Sequence, residues 1–274
     1  MTRRIAGKAT VSGHEVAYYV TQGLVQKYGA DTPEIYSDLY DGGIAAADIW
    51  VGRLVAFLLE QQLYDSTMIV LTSDHGEELG DHDPTTFRGR HGDSAYEEML
   101  RVPLVVKLPG SDHAGLRIDA VTRAIDVMPT VLEVAGVEGP RDRMQGTSLV
   151  GLWNGAREPG RTAFSEASAY AEEFKSVRDS RYKLIFQIGP DTVAQRGRSF
   201  VPSVPMRRFL FDLDVDPGET SNLLAGASSP RAERIAADLE KKLRSLAEPK
   251  PAEVEEVGLD VKTLERLRAM GYVR

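Results

Sequence analysis

The chain has 274 residues, of which 42% are hydrophobic and 27% charged, and this composition excludes a disordered or fibrous protein. Its formal net charge of −8 gives no overall field that would attract nucleic acid, so no nucleic-acid partner is expected. It contains no cysteine, which excludes disulfides, thiolate metal sites and a cysteine nucleophile within these residues.

The first half of the chain is predicted to contain both helices and strands. Apolar residues recur at helical spacing from Ile44 to Glu60, which indicates an amphipathic helix. Short β-branched and apolar runs at Thr67–Thr72 and Val102–Lys107 predict two strands, the first of them buried and parallel. Further helices are predicted from Glu15 to Tyr28 and from Asp126 to Ala135, each followed by a glycine. This mixture favours an α/β layer architecture.

The second half is predicted to be an antiparallel sheet followed by helices. Its predicted strands are Thr162–Glu166, Phe174–Arg178, Tyr182–Gln187 and Arg208–Leu213. A charged amphipathic helix is predicted from Ser229 to Leu246, and a short terminal helix from Asp260 to Met270. A linker rich in proline and glutamate, Pro249 to Glu256, separates these two helices.

No membrane span is predicted from the sequence. No apolar run approaches the roughly 20 residues that a spanning helix needs. The segment from Met1 to Lys8 has no apolar stretch behind its basic residues, as a signal peptide would. The compartment in which the protein works is therefore left open.

The stretch from Thr72 to His82 carries most of the chemistry that the sequence offers. Asp74 and His75 follow the first predicted strand, and ligands of open α/β sheets bind beyond the carboxyl ends of strands. A carboxylate beside an imidazole in this position could ligate a divalent cation. An anionic substrate would need either a bound cation or a few aimed basic groups, because the net charge of the chain opposes it. Alternatively, Asp74 braces the turn and His75 hydrogen-bonds to the backbone.

Several motifs of this chain together resemble those of one enzyme family. The run Ser73–His82, followed by His91-Gly92 and by Tyr96–Leu104, is similar to the second metal-ligand block of the sulfatases of the alkaline phosphatase superfamily. Further segments that resemble this family are Tyr40–Gly52, Asp126–Gly136, Tyr182–Leu184, Phe211–Leu223 and Leu267–Val273. The resemblance covers most of the chain from Tyr36 onward.

The resemblance implies an α/β fold that is part of an alkaline-phosphatase-like α/β/α sandwich, with a smaller C-terminal antiparallel-sheet subdomain and terminal helices. Residues 1–155 would then form the C-terminal portion of the catalytic domain. Residues 156–248 would form the subdomain, and residues 249–274 a linker and terminal helix.

The resemblance also implies roles for individual residues. Asp74 and His75 would ligate one divalent metal, most often Ca²⁺ in this family, while the imidazole leaves Mn²⁺ and Zn²⁺ open. His91 occupies the position of a basic residue that contacts the sulfate oxygens and can protonate the leaving oxygen; its alternative is a loop histidine with a local hydrogen bond. His82 would either act directly in catalysis or shape the loop. The expected substrate is a sulfated small molecule or glycan.

The family's nucleophile has no counterpart before Asp74. Sulfatases use a formylglycine made from the first residue of a Cys/Ser-x-Pro-x-Arg motif near the N-terminus. Ser203–Arg207 matches this bare pattern but lies on the wrong side of the metal block, so it is interpreted as a chance match. We therefore expect a truncated chain that binds metal weakly, has little activity alone, and exposes apolar strand edges that favour a homo-oligomer or the missing N-terminal segment.

Three functions remain open on the sequence. The first is a sulfuric ester hydrolase in the full-length form. The second is a phosphodiesterase or phosphonate monoester hydrolase of the same superfamily, whose metal block is shared. The third is a non-catalytic remnant that binds a metal or a partner.

Overall fold

The computed structural model describes residues 33–82, 92, 94–140, 143–158, 160–169, 172–188, 207–247 and 263. The predicted helix Glu15–Tyr28 and His91 lie outside these residues, as do the linker after Pro249 and, apart from Thr263, the predicted terminal helix.

The described residues form helices and two antiparallel sheets. The α-helices are α1 (Pro33–Glu60), α2 (Glu97–Leu100), α3 (Val127–Val134), α4 (Val150–Trp153) and α5 (Pro230–Ala247). The strands are β1 (Ile69–Thr72), β2 (Leu104–Lys107), β3 (Ala163–Ala169), β4 (Glu172–Arg178), β5 (Tyr182–Ile188) and β6 (Arg207–Asp212). Strands β1 and β2 make a two-stranded sheet, and β3 to β6 a four-stranded sheet in chain order.

Helix α1 is longer than predicted and is exposed over most of its surface. Val51, Val55 and Leu58 are half-buried at the helical spacing that the sequence shows, whereas Trp50 is 67% exposed. The part Tyr36–Glu60 is long and apolar enough to cross a membrane by length and composition alone. None of its most apolar stretch is buried against the other described residues, but one such helix is weak evidence for a span, so the expectation of no membrane span stays a prediction.

Strand β1 is antiparallel to β2, which corrects the prediction of a buried parallel strand. Ile69 pairs with Lys107 and Thr72 with Leu104, and Leu71 is 43% exposed. A run of β-branched residues predicts a strand but leaves the direction of its partner open. A parallel partner needs a crossover along the sheet, usually a helix of several turns, whereas the described part of the connection contains the four-residue α2. The pairing places the carboxyl end of β1 beside the amino end of β2.

The C-terminal sheet and α5, whose strands and helix were predicted, enclose the larger hydrophobic core. Leu184, Phe186 and Leu210 on one face of the sheet are at most 1% exposed and pack against Leu239 and Leu243 of α5. Alternate residues of a strand point to opposite faces, so Ile185 faces away from α5. It packs in a second cluster with Phe174, Phe211 and Ala95, the last of which lies just before α2. The sheet is therefore covered on this face by the segment that enters α2.

A buried ion network joins α2 to the same sheet. The Lys183 side chain is fully buried, and its Nζ lies 3.1 Å from Glu97 Oε1 and 2.9 Å from Glu219 Oε1. Arg178 pairs with the other oxygen of Glu97, and the backbone N–H of Glu97 donates to Glu219 Oε2 at 2.6 Å. Charges removed from water must be paired, and here each carboxylate meets a cation. The network fixes the start of α2.

Helix α3 confirms the predicted helix at Asp126. The buried Asp126 carboxylate is held by the guanidinium groups of Arg123 and Arg161 and by the backbone N–H of Thr147, at 2.9 Å. Hydrogen bonds and paired cations outweigh the burial and keep the pKa of Asp126 below its usual range. The helix ends at Val134, and Gly136, which follows the cap residue Ala135, has a φ of +66° that suits a glycine at this position.

Candidate metal and substrate site

The loop after β1 turns sharply at Ser73, Asp74 and His75. Ser73 Oγ donates a hydrogen bond to the backbone oxygen of His75 at 2.7 Å, and the backbone N–H of His75 donates to Asp74 Oδ1 at 3.0 Å. This is the bracing role that the sequence offered as the alternative for Asp74. The turn holds the carboxylate at the edge of the sheet, with the side chain 88% exposed.

The Asp74 carboxylate and the His75 imidazole converge. His75 Nδ1 lies 2.7 Å from the backbone oxygen of Gly76; a carbonyl oxygen accepts only, so a neutral His75 ring carries its proton on Nδ1 and its lone pair on Nε2. Nε2 lies 3.8 Å from Asp74 Oδ1, close to the separation of about 3–3.5 Å between two ligands of one dication. The charge of the protonated form of His75, followed by backbone hydrogen bonds, holds the pKa of Asp74 below its usual range. The pair therefore fits a divalent cation.

Backbone contacts dock this loop on α2. The N–H of Gly76 donates to the oxygen of Met99 at 2.8 Å, and the N–H of Glu77 donates to the oxygen of Glu98 at 3.1 Å. A Cβ atom on Gly76 would lie 1.7 Å from the backbone oxygen of Glu98, so no side chain fits there. Glycine at this position is required by close approach of two backbones.

We expect Gly76→Ala to separate the loop from α2. The added methyl group would overlap the Glu98 backbone, which cannot rotate aside, and should destabilise the fold by about 1–3 kcal/mol. Metal binding at Asp74 and His75 should weaken at the same time, because the turn that aligns them would shift. Urea unfolding and a Ca²⁺ or Mn²⁺ titration measure the two effects. Gly52→Ala, in α1 with no atom within 4 Å, is the control and should not destabilise; equal behaviour of the two variants would contradict the docking.

His82 lies in a buried cluster with Glu78 and Glu98 on the same loop and on α2. Its Nδ1 lies 2.6 Å from Glu98 Oε1, and its ring stacks on Tyr96 with a centroid distance of 3.6 Å. Glu78, 3% exposed, accepts a hydrogen bond from the backbone N–H of His82 at 3.4 Å. These contacts favour the loop-shaping role for His82, and its catalytic role stays a prediction. The sequence analysis missed Glu78 and Glu98, since only the fold brings residues 78 and 98 together.

Protonation of this cluster differs from that of the free side chains. Burial, followed by the hydrogen bond and charge of Glu98, raises the pKa of Glu78 to about 7. Burial alone would lower the pKa of His82, but the hydrogen bond and charge of Glu98 raise it. Burial likewise opposes ionisation of Glu98, and the hydrogen bond from His82 outweighs it and lowers its pKa. At neutral pH, Glu78 is thus partly protonated, and the hydrogen bond between His82 and Glu98 favours the charged form of both.

We expect the metal-free protein to lose stability as the pH rises from about 4.5 to 7. In this window unfolded Glu78 is ionised while folded Glu78 keeps its proton, so the folded state binds more protons. His82 acts in the same direction, since its raised pKa gives stability below its unfolded pKa that is lost as the pH rises through the folded value. Glu78→Gln should flatten this slope, so that the loss in the free energy of unfolding between about pH 4.5 and 7 becomes smaller by on the order of 2 kcal/mol. Urea unfolding with EDTA at several pH values measures the slope.

The control for that experiment is Glu138→Gln, at an exposed position. It should keep the slope of the unmutated chain. If Glu78→Gln keeps the same slope as well, Glu78 does not hold the proton.

An open cleft of about 1080 Å³ lies against Asp74 and His75. It reaches from the loop after β1 to the C-terminal sheet, and its walls include the cationic side chains Arg101, Arg123 and Arg178. Arg101 is exposed, whereas Arg123 and Arg178 are engaged with Asp126 and Glu97. Asp74, Glu97, Asp119 and Glu166 also line the cleft, so an anionic ester would need a bound cation there in addition to Arg101.

Two predicted site features lie outside the described residues. His91 is one of them, so its contact with a sulfate oxygen stays a prediction. Ser203 and its three following residues are the other, while Arg207, the last residue of that pattern, is the first residue of β6. The chance-match interpretation of Ser203–Arg207 stays a prediction.

The described helices and sheets are consistent with an α/β fold, and comparisons with known proteins identify the family. Residues 8–137 match the family described as Sulfatase, and residues 91–249 the family described as N-sulphoglucosamine sulphohydrolase, C-terminal. The chain belongs to the sulfatase family of the alkaline phosphatase superfamily, which confirms the resemblance read from the sequence.

The most similar known proteins include a relative and two solved structures. The multifunctional alkaline phosphatase superfamily protein PehA of Trinickia caryophylli is 35% identical over 213 residues, which is 75% of this chain and 39% of that protein. The phosphonate monoester hydrolase of Agrobacterium radiobacter is 27% identical with a TM-score of 0.57, over 74% of this chain and 39% of that one. A protein solved in complex with its substrate D-glucosamine-2-N,6-O-disulfate is 26% identical with a TM-score of 0.54, over 77% of this chain and 41% of that one.

These neighbours confirm the predicted α/β fold class. The chain spans about 40% of the length of the first curated relatives that it matches. Its predicted boundaries at residues 155 and 248 stay predictions.

Proposed function

We propose that this chain forms the C-terminal part of a metal-dependent sulfuric ester hydrolase. The observation that carries the proposal is the convergence of Asp74 Oδ1 and His75 Nε2, 3.8 Å apart, at the edge of the cleft. Membership of the sulfatase family and the sulfated substrate of one structural neighbour support the reaction class and a sulfated sugar as substrate.

Asp74 and His75 would hold the metal, which supplies a positive charge next to the sulfate group. The ionised carboxylate and the Nε2 lone pair are the ligand forms that a metal needs. Ca²⁺ is proposed first because Asp74 is an oxygen ligand, with Mn²⁺ and Zn²⁺ as alternatives because of the imidazole. Ca²⁺ takes six to eight ligands, so these two residues alone would hold it weakly.

The remaining proposed roles belong to the cleft. His91 would contact the sulfate oxygens and give a proton to the leaving oxygen. Arg101, exposed on the cleft wall, adds a positive charge where the anionic ester enters. The nucleophile is not among the residues of this chain that we assign, so the chain by itself is proposed to have little activity.

The second candidate function is hydrolysis of phosphonate monoesters. It is favoured by the TM-score of 0.57 to a phosphonate monoester hydrolase. Sulfate monoesters and phosphonate monoesters both carry one negative charge on a tetrahedral centre, so one metal-bearing cleft can accept either.

The test measures hydrolysis of p-nitrophenyl sulfate and p-nitrophenyl phenylphosphonate by this chain and by the complete gene product. We expect the complete product to hydrolyse the sulfate faster, to stop with EDTA, and to recover with Ca²⁺ or Mn²⁺. Faster hydrolysis of the phosphonate would replace the proposal with the second function. Hydrolysis of neither ester by the metal-loaded complete product would reject both and leave a non-catalytic metal-binding protein.

A further inference from the structure

Glu78, His82 and Glu98 connect the loop after β1 to α2 through their side chains. Glu78 and His82 lie on the loop, Glu98 lies on α2, and one polar atom of each is within 4.8 Å of the other two. Glu78 is 3% exposed, and the side chains of His82 and Glu98 are 15% and 20% exposed. The connection between the loop and the helix is therefore made largely out of water.

The Glu98 carboxylate accepts two hydrogen bonds from the loop. His82 Nδ1 lies 2.6 Å from Glu98 Oε1, and the carboxyl group of Glu78 hydrogen-bonds to Glu98. Two carboxyl groups share a hydrogen bond only while one of them carries a proton. Burial, followed by the hydrogen bond and charge of Glu98, places this proton on Glu78 and raises its pKa to about 7.

The charged groups around the cluster do not replace this proton. Glu219 and Asp216, on the segment after β6, interact electrostatically with His82, and both are acidic. The Tyr96 ring stacks on His82 and stays neutral, since burial and neighbouring carboxylates raise its pKa. Ionisation of Glu78 would therefore add a negative charge to surroundings that are already acidic.

We propose that the proton shared by Glu78 and Glu98 controls how firmly the loop that carries Asp74 and His75 is held on α2. Without this proton, two carboxylates would lie side by side out of water, and their repulsion would push the loop from the helix. The role of Asp74 and His75 as metal ligands rests on the proposed function, whereas the contact itself does not.

Two backbone hydrogen bonds report on this contact. The N–H groups of Gly76 and Glu77 donate to the backbone oxygens of Met99 and Glu98, so they open when the loop leaves α2. An open loop returns Glu78 to water and to its ordinary pKa of 4.5, against about 7 in the closed loop. The closed loop holds more protons in this window, so it loses stability as the pH rises from about 4.5 to 7.

Hydrogen exchange of the Gly76 and Glu77 amides in the full chain, with EDTA present, tests the proposal. The measured quantity is protection, the exchange rate relative to that of an unstructured peptide at the same pH, because exchange itself varies with pH. We expect protection to fall by more than about tenfold from about pH 5 to about pH 7.5. It should also stay below that of the Leu210 amide, which is bonded to Asn222 in the C-terminal sheet.

Two variants separate Glu78 from other titrating groups. Glu78→Gln keeps a donor for Glu98 but cannot ionise, so its protection should change by less than about twofold over this range. Asp81→Asn removes an exposed carboxylate of the same loop, and it should show the same fall as the unmutated chain.

Constant protection in the unmutated chain would overturn the proposal, and this measurement needs no variant to fold. An equal fall in Glu78→Gln would also overturn it, as would protection equal to that of Leu210 at every pH, because these amides would then open only with the whole chain. The exchange is measured without metal. A titration that detects no metal at Asp74 and His75 would reject the proposed function and leave this result unaffected.

Discussion

Replacing Asp74 with alanine is expected to lower metal-dependent hydrolysis of a sulfate ester by about a thousandfold or more in the complete gene product. A metal at this position is worth several kcal/mol of charge stabilisation, and each 1.36 kcal/mol is a factor of about ten in rate. Asp74 is one of the two proposed ligands, and its side chain is 88% exposed. The fold should therefore survive the substitution. The loss is measured as kcat/KM and as metal affinity.

The controls separate a metal effect from a general one. His75→Ala should cause a similar loss, since it removes the other ligand. Asp112→Ala, an exposed carboxylate outside the cleft, should leave kcat/KM unchanged. Thermal unfolding of Asp74→Ala should match that of the unmutated protein. Hydrolysis at the unmutated rate after Asp74→Ala would remove the metal assignment and, with it, the chemical basis of the proposed function.

Lys183→Met is expected to destabilise the chain by about 3–5 kcal/mol, the range for removing one partner from a buried ion pair. Methionine has nearly the volume of lysine but no charge, so Glu97 and Glu219 would remain buried with one cation fewer. Burial already raises the pKa of Glu219, and Lys183 is the strongest influence that opposes this. The free energy of unfolding in urea at neutral pH measures the loss.

Lys175→Met is the matched control. Lys175 also carries two carboxylate partners, Glu166 and Glu173, but the Glu166 side chain is 46% exposed and can be solvated without it. The expected loss is about 1 kcal/mol or less. Adding Glu219→Gln to Lys183→Met should recover part of the stability, because it removes the buried charge of Glu219, which pairs with Lys183, whereas Glu97 keeps Arg178. Equal losses for the two lysine variants would show that burial of the network adds nothing.

Local patterns predicted most elements of the described fold. The strands β3 to β6 and the helices α3 and α5 lie within a few residues of their predicted bounds, because each is delimited by turn residues or a cap that acts locally. The α/β class followed from the order of these elements and from the family resemblance.

The direction of strand pairing and the contacts between residues far apart in the sequence could not be predicted from local patterns. The antiparallel pairing of β1 depends on how the chain returns between residues 72 and 104, which no local pattern encodes. The burial of Lys183 is likewise set by its partner Glu97, 86 residues earlier. A lysine in a strand ordinarily indicates an exposed face, and it is the network that permits its full burial.

The candidate site was predicted in part. Asp74 and His75 were selected for their place after a strand, and the structure brings their ligand atoms together. Glu78 and Glu98 were not selected, since glutamates are frequent on exposed loops and helices. The contact between His82 and Glu98 forms only because α2 packs against the loop, which no local sequence pattern predicts.

Helix α2 has four residues, too few to hold a fixed orientation by its own hydrogen bonds. It is held on one side by the backbone of Gly76 and Glu77, and on the other by Lys183, Arg178 and Glu219. A substitution in the C-terminal sheet that displaces this single helical turn would thus shift Asp74 and His75, which it never contacts. Under the proposed function, such a substitution would change the rate of hydrolysis while every residue of the cleft stays the same.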